Sequence, residues 1–456
     1  MLAGVDMKYI IYRKKRWSSA QIITLGFLGV ILLGSILLML PVSSRSGEIT
    51  PFFKALFTAT SATCVTGLVV YDTATYWSGF GQAVILLLIQ IGGTGVVTIA
   101  VSIATISGKK IGLMQRSTMQ EAIAAPSVGG IVRLTGFILK ATFLIELAGT
   151  VLMMPVFCRD FGVWKGIWYS VFHSVSAFCN AGFDLMGVRQ TFSSLTAYSG
   201  SVYLNLIVMG LIIIGGIGFL TWDDIRRNRL HFHKYRMQSK VILFTTGVLL
   251  VFPFLFFYFR EFCSEVWNDL TEGQKILGAL FQTVTPRTAG FNTVDLSMFS
   301  EAGQTIMILL MLIGGSPGST AGGMKTTTAA VLFMTLFAVL KRKEYAECFG
   351  RRIAEDTIKY AASILLMYLT LFFTGGIIIS CIEHLPMLTC LFETASAIGT
   401  VGLTLGITPH LGAVSRMILI ILMFLGRVGC LTLVFAAFSG TRGNISKLPK
   451  EKITVG

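Results

Sequence analysis

Charge is scarce in this chain. Only 13% of its 456 residues are Asp, Glu, Lys or Arg, while 54% are hydrophobic; a soluble domain carries about 25% charged residues. So depleted a chain is suited to a lipid solvent rather than to water. Histidine is scarcer still, with five copies. There is no HExxH motif and no acidic cluster inside the apolar runs, so the constellation a membrane enzyme would need is missing. The eight cysteines (Cys64, Cys158, Cys179, Cys263, Cys348, Cys381, Cys390 and Cys430) form no CxxC pair. That excludes metal-ligand spacing and a disulfide framework, and they read as small packing residues. Acidic residues are outnumbered 22 to 37, for a net charge of +15.

So basic a balance raises nucleic acid as a partner, but the distribution of the charge excludes it. The apolar runs fall at 22–40, 84–106, 134–157, 204–220, 241–259, 306–313 with 326–340, 364–382 and 417–438. About 20 residues cross a bilayer, so these runs predict eight spans. Most Lys and Arg cluster at 8–16, 109–116, 226–240, 341–359 and 442–452. With alternating spans all five clusters share one side, which the positive-inside rule makes cytoplasmic together with both termini. The first run lies too deep and is too long for a cleaved signal peptide.

Internal repetition is the informative signal. Four segments align, beginning Leu56-Phe57, Val171-Phe172, Leu280-Phe281 and Leu391-Phe392. Each carries Ser or Thr four residues after the Phe (Ser61, Ser176, Thr285, Ser396) and then a Gly followed by Leu or Phe. Those glycines are Gly67, Gly182, Gly290 and Gly402; the third copy is one residue shorter, at Pro286-Arg287. A second landmark follows each: Gly92-Gly93-Thr94-Gly95, Gly215-Gly216-Ile217-Gly218, Gly314-Gly315-Ser316-Pro317-Gly318 and Gly426-Arg427-Val428-Gly429.

Each repeat reads as span, re-entrant segment, span. Non-helical backbone at membrane depth is tolerated only where it lines a cavity or is buried in protein. Four parallel repeats bring four such loops to one axis. The predicted fold is all-α and integral to the membrane: eight transmembrane helices plus four re-entrant pore half-helices, in four pseudo-symmetric M1–P–M2 repeats around one pore. The repeats are set at 18–106, 128–222, 238–341 and 356–439, with an N-terminal arm at 1–17 and a tail at 440–456.

A dehydrated alkali cation is held by rings of backbone carbonyls. Glycine reaches the left-handed conformations that turn successive carbonyls inward. The expected filter walls are Val65, Thr66 and Gly67; Asn180, Ala181 and Gly182; Thr288, Ala289 and Gly290; and Thr400, Val401 and Gly402. Asp184 and Asn292 lie at the expected outer mouth, where the acid can concentrate cations. His173 and Glu393 sit in the pore segments. Lys140 and Glu146, in the third span, read as structural or snorkelling.

These motifs resemble the ion-translocating membrane subunit of the Ktr/Trk/HKT superfamily of K⁺ transporters, nearest the KtrB type. TCVTGL at 63–68, CNAGFD at 179–184, RTAGFN at 287–292, GTVGLT at 399–404 and GGSPGSTAGGMKTTT at 314–328 carry the resemblance. It implies gated K⁺ uptake through a selective pore, possible stimulation by Na⁺, a homodimer, and a cytoplasmic nucleotide-binding RCK ring of the KtrA type. It places the protein in the bacterial cell membrane with no cofactor but K⁺ itself. All four filter glycines are present, whereas in the family a Ser at the first goes with Na⁺ transport. The basic loops could dock the ring or touch anionic lipid. A cation-coupled secondary transporter of the Trk type remains the alternative.

Span six alone carries a polar interruption. Gly314, Gly315, Ser316, Pro317, Gly318, Ser319, Thr320, Gly322 and Gly323 cannot stay helical without large cost. The resemblance implies a gating loop there; Lys325 ends it and adds to the barrier. Arg427 takes the place of Gly93, Gly216 and Gly315 in its repeat. A membrane-buried arginine should face the interior with partners, where it opposes a cation.

Overall fold

The computed structural model describes residues 17–106, 111–125, 129–229 and 231–438. Apart from Trp17, the predicted terminal arm and tail lie outside the described residues.

Helix α1 (Ser19–Met39) opens on a capping box. The Ser18 hydroxyl accepts from Gln21 N at 3.2 Å, and the Gln21 side chain accepts from Ser18 N at 3.0 Å. It leads to the short α2 (Phe52–Cys64), then α3 (Thr73–Tyr76), α4 (Gly79–Thr94) and α5 (Val96–Ile106). After α6 (Leu113–Ile123) the pattern recurs: long α7 (Ile131–Phe161), short α8 (Val163–Phe178), α9 (Val202–Gly216) and α10 (Phe219–Asn228). The third unit is α11 (Met237–Phe256, prolonged by a π-turn to Phe262), α12 (Glu272–Val284), α13 (Glu301–Leu312) and α14 (Thr326–Leu340). A two-residue hairpin, β1 (Glu347–Cys348) with β2 (Arg351–Arg352), precedes α15 (Glu355–Glu383), α16 (Met387–Gly399), α17 (Ala413–Val428) and α18 (Cys430–Phe438).

Four of the described helices, α1, α7, α11 with its π-turn, and α15, are long and apolar enough to cross a membrane. They are the first helices of the four units. Only about 28–33% of each apolar window is buried, so most of their hydrophobic surface faces outward, as lipid contact requires. The second helices differ from the expectation of unbroken spans. The sequence pointed to one interruption, and the structure has four. Helices α4 and α5 part at Gly95, α9 and α10 bend by 97° around Gly218, and α17 and α18 part at Gly429. These three glycines have φ of 92°, 90° and 92°. A helix cannot pass through such a residue, and a side chain there would be strained. In the third unit the break widens into the loop 313–325.

The units close into a ring. Each short buried helix packs on the first helix of its own unit, as α1 on α2, α7 on α8, α11 on α12 and α15 on α16. It also meets the second helix of the preceding unit: α4 on α8, α9 on α12, α13 on α16 and α17 back on α2. Within its own unit the second landmark sets how closely the second helix packs on the short helix. A Cβ at Gly92, Gly215 or Gly426 would lie 2.0–2.2 Å from the carbonyl oxygen of Thr63, Phe178 or Ile398. These carbonyls end the short helices, so only glycine lets the second helix approach.

Two buried acids organise the basic face. Asp223 accepts from Arg227 Nε at 2.9 Å, and Asp224 accepts from Arg236 N at 3.1 Å and from the Ser239 hydroxyl at 2.6 Å. Replacing Asp224 with Ala strips both donors of their acceptor. It is expected to destabilise this connection by about 2 kcal/mol, read as a lower thermal midpoint of the detergent-solubilised protein.

Candidate functional site

The four short helices point their C-terminal ends at a common centre, where each chain turns back. In every loop the second residue before the glycine is left-handed: Val65 (φ 59°), Asn180 (59°), Thr288 (71°) and Thr400 (51°). Gly67, Gly182, Gly290 and Gly402 follow at 96°, 68°, 78° and 94°. A non-glycine residue in this region is uncommon, and four at equivalent positions mark a conformation imposed on all four loops.

The glycines touch in cyclic order. A Cβ on Gly67 would meet Ala181 O at 2.6 Å, one on Gly182 would meet Ala289 O at 2.8 Å, one on Gly290 would meet Val401 O at 2.3 Å, and one on Gly402 would meet Thr66 O at 2.2 Å. The ring therefore closes through all four repeats. Its twelve predicted wall residues come together, each completely buried or nearly so.

The shared Ser/Thr explains how such backbone is held. Ser61 Oγ accepts from Gly67 N at 3.1 Å and Ser396 Oγ accepts from Gly402 N at 3.0 Å. In the other two copies the hydroxyl turns donor: Ser176 to Phe183 O at 2.6 Å, Thr285 to Phe291 O at 2.5 Å. The shortened third copy keeps register. Thr66, Ala181 and Val401 donate to the carbonyl five residues back (Ser61, Ser176, Ser396), each at 2.8 Å, whereas Ala289 donates four residues back, to Thr285 O, at 2.9 Å. The missing residue is absorbed where α12 ends at Val284.

Asp184 and Asn292 sit just outside the ring, spent on local turns. Asp184 Oδ1 accepts from Met186 N at 2.9 Å, and Asn292 Nδ2 donates to Val294 O at 3.2 Å. Glu146 is buried against Gln90, whose Nε2 donates to it at 3.2 Å, and Lys140 is exposed.

On the other side of the ring the loop 313–325 is stitched across to its neighbours. Ser316 N donates to Gly216 O at 3.0 Å, the Thr320 hydroxyl to Phe178 O at 3.1 Å, and Gly323 N to Gly426 O at 3.2 Å. Phe219 N donates to Gly318 O at 2.6 Å. The Ser319 hydroxyl donates to Ser316 O at 2.6 Å. Gly314, Gly315 and Gly322 are in contact too close for a side chain. Pro317 lines the cavity beneath.

The Arg427 guanidinium donates to Thr320 O in this loop and to Gly92 O and, at 3.1 Å, Gly93 O at the end of α4. Lys325 Nζ donates to Ala321 O at 2.8 Å and Gly322 O at 3.4 Å. Two cations thus hold three consecutive loop carbonyls. They border a cavity of about 300 Å³, whose wall includes residues 121–124 at the end of α6. That helix was not expected from sequence. A Cβ on Gly318 would lie 2.4 Å from Ile123 O, so α6 supports the loop directly.

The chain is 41% identical to the potassium/sodium uptake protein NtpJ of Enterococcus hirae, over 97% of this chain and 98% of that one. It is 38% identical to the Ktr system potassium uptake protein B of Bacillus subtilis, with 97% of each covered. The crystal structure of the potassium transporter TrkH from Vibrio parahaemolyticus shares the fold, with a TM-score of 0.72 at 19% identity over 93% of this chain and 86% of that one. The TrkH family, described as cation transport protein, matches residues 18–445, and the chain belongs to that family.

Proposed function

We propose that this chain is the membrane subunit of a K⁺ uptake system, a channel-like pore that is selective at the glycine ring and gated at the loop 313–325. Eight spans, counting each broken second helix as one, and four re-entrant helices form one pore per chain. The closed contact of Gly67, Gly182, Gly290 and Gly402 carries the reading. Four loops with the same alternation of left-handed residues can present carbonyls to a dehydrated cation from all sides. The four short helices add the negative ends of their dipoles toward the same point. The names of the relatives support K⁺ as the ion, and the Enterococcus hirae name adds sodium.

Arg427, Lys325 and the loop make the barrier. The outer mouth lies at Asp184 and Asn292. The protein sits in the bacterial cell membrane with its basic loops in the cytoplasm. There Phe232 and Phe349 meet at 6.3 Å with Lys240 over both rings, which joins the loops 226–240 and 341–352 into one surface. That surface suits docking of an RCK ring, and a homodimer would bring two pores over it. Interrupted helices also serve coupled transporters, but four parallel units around one axis favour a pore.

Flux into proteoliposomes tests the reading. Wild type is expected to pass K⁺ and Rb⁺ far better than Na⁺ without an imposed gradient of H⁺ or Na⁺, and Gly402→Ser to lose that preference. Transport only when such a gradient is supplied would replace the pore by a coupled carrier.

A further inference from the structure

The residue that follows the shared Phe differs in every unit: Thr58, His173, Gln282 and Glu393. All four are 0–1% exposed, behind the loops on equivalent turns of the re-entrant helices. In the fourth unit the Glu393 carboxylate accepts from the Thr404 hydroxyl and, at 3.0 Å, from the Thr408 hydroxyl. Those two hydroxyls lie 3.1 Å apart, and Thr404 Oγ1 also accepts from Gly406 N at 2.9 Å. Glu393 is therefore the anchor of the segment that leaves Gly402. In the second unit His173 does a weaker version of the same. Its Nε2 accepts from Leu185 N at 3.4 Å, while Nδ1 lies 2.8 Å from Tyr169 O.

The other two units lack the brace. The Thr58 hydroxyl returns to Lys54 O of its own helix at 3.1 Å. Both amide atoms of Gln282 are buried without a hydrogen-bond partner. One repeat position thus ties down loop four firmly, loop two lightly, and loops one and three not at all. A carboxylate sealed among apolar side chains is unfavourable unless its acceptor sites are met. At Glu393 they are met by the outgoing segment, so carboxylate and segment fix one another. Discrimination between cations that differ chiefly in size requires ligands held within about 0.5 Å.

We propose that Glu393 is a positioning residue for selectivity: by clamping Thr404 and Thr408 it holds the carbonyls at Thr400, Val401 and Gly402 at the spacing that favours K⁺ over Na⁺. This rests on the ring being the selectivity filter. The clamp acts on the backbone of one loop, so its loss opens the ring to Na⁺ without closing the pore. Gln282 supplies the internal contrast, since it occupies the same place with nothing to hold.

The test is the K⁺ to Na⁺ flux ratio of full-length protein in proteoliposomes, with Gly402→Ser as reference. Glu393→Ala is expected to lower the ratio by about tenfold, the scale of a lost hydrogen bond to a charged group, with total cation flux undiminished. Glu393→Gln, which keeps an acceptor, should fall between, and Thr404→Val with Thr408→Val should reproduce the alanine variant. Gln282→Leu should leave the ratio unchanged. The inference is overturned if Gly402→Ser loses selectivity while Glu393→Ala keeps it, or if Gln282→Leu shifts the ratio as much as Glu393→Ala. Should Glu393→Ala not be recovered as a monodisperse protein, Thr408→Val removes one donor and leaves the acid in place. An unchanged ratio there overturns the inference equally. If neither Gly402→Ser nor any Glu393 variant alters the ratio, it is the filter reading that fails.

Discussion

Replacing Arg427 with alanine is expected to raise K⁺ flux by about tenfold or more. A unit positive charge about 5 Å from a passing cation opposes it by about 3 kcal/mol at an effective dielectric of about 20, and removing it lowers the barrier accordingly. The guanidinium also donates to Thr320 O while gripping Gly92 O and Gly93 O across the ring. Its loss frees Thr320 O, in the middle of the loop 313–325, although Lys325 still holds Ala321 and Gly322. Arg427→Lys keeps the charge but not the fork that bridges the loop and the end of α4, so its flux should lie between. A buried arginine at membrane depth costs about 2.5 kcal/mol or more, which a mere packing role would not favour. Rb⁺ uptake normalised to folded, inserted protein reads the outcome. An unchanged or lower rate, together with a lower melting temperature, would make Arg427 a structural staple and leave the barrier elsewhere.

What the sequence revealed and what it hid follow from how each feature is encoded. The glycine ring was legible because four copies repeat one pattern, and repetition survives even the deletion at Pro286-Arg287. Arg427 was legible because a charge stands out in an apolar run. The breaks at Gly95, Gly218 and Gly429 were not, because a bend is written in one φ angle rather than in polarity: 84–106 and, Arg427 apart, 417–438 stay predominantly apolar on both sides of the break. Only the third break, with its Pro and hydroxyls, announced itself. The shared Ser/Thr was seen as a marker, but its switch from acceptor (Ser61, Ser396) to donor (Ser176, Thr285) depends on the local turn. Helix α6 was read as part of a cytoplasmic connection. That its end reaches Gly318 is a tertiary fact with no local signature.

Serine substitution at the four ring glycines is expected to damage selectivity unequally, and the order follows from the contacts. Every site has a positive φ, so an L side chain pays a backbone penalty of about 1–2 kcal/mol at each. What differs is the neighbour. An added Cβ would lie 2.2 Å from Thr66 O at Gly402 and 2.3 Å from Val401 O at Gly290, but 2.6 Å from Ala181 O at Gly67 and 2.8 Å from Ala289 O at Gly182. Each of these oxygens belongs to the next loop's own wall, so under the proposed filter the collision displaces a cation ligand rather than a spectator atom. Ser at 402 and 290 should therefore cost most of the K⁺ preference, at 67 less, and at 182 least. Steric conflicts of this size are worth about 1–3 kcal/mol, about ten- to hundredfold in the K⁺ to Na⁺ ratio. Ordinary outer turns would respond otherwise, with the four variants losing stability alike and selectivity not at all. A reversed order, with 182 the most damaging, would mean that these carbonyls are not the ligands and that the ion passes elsewhere.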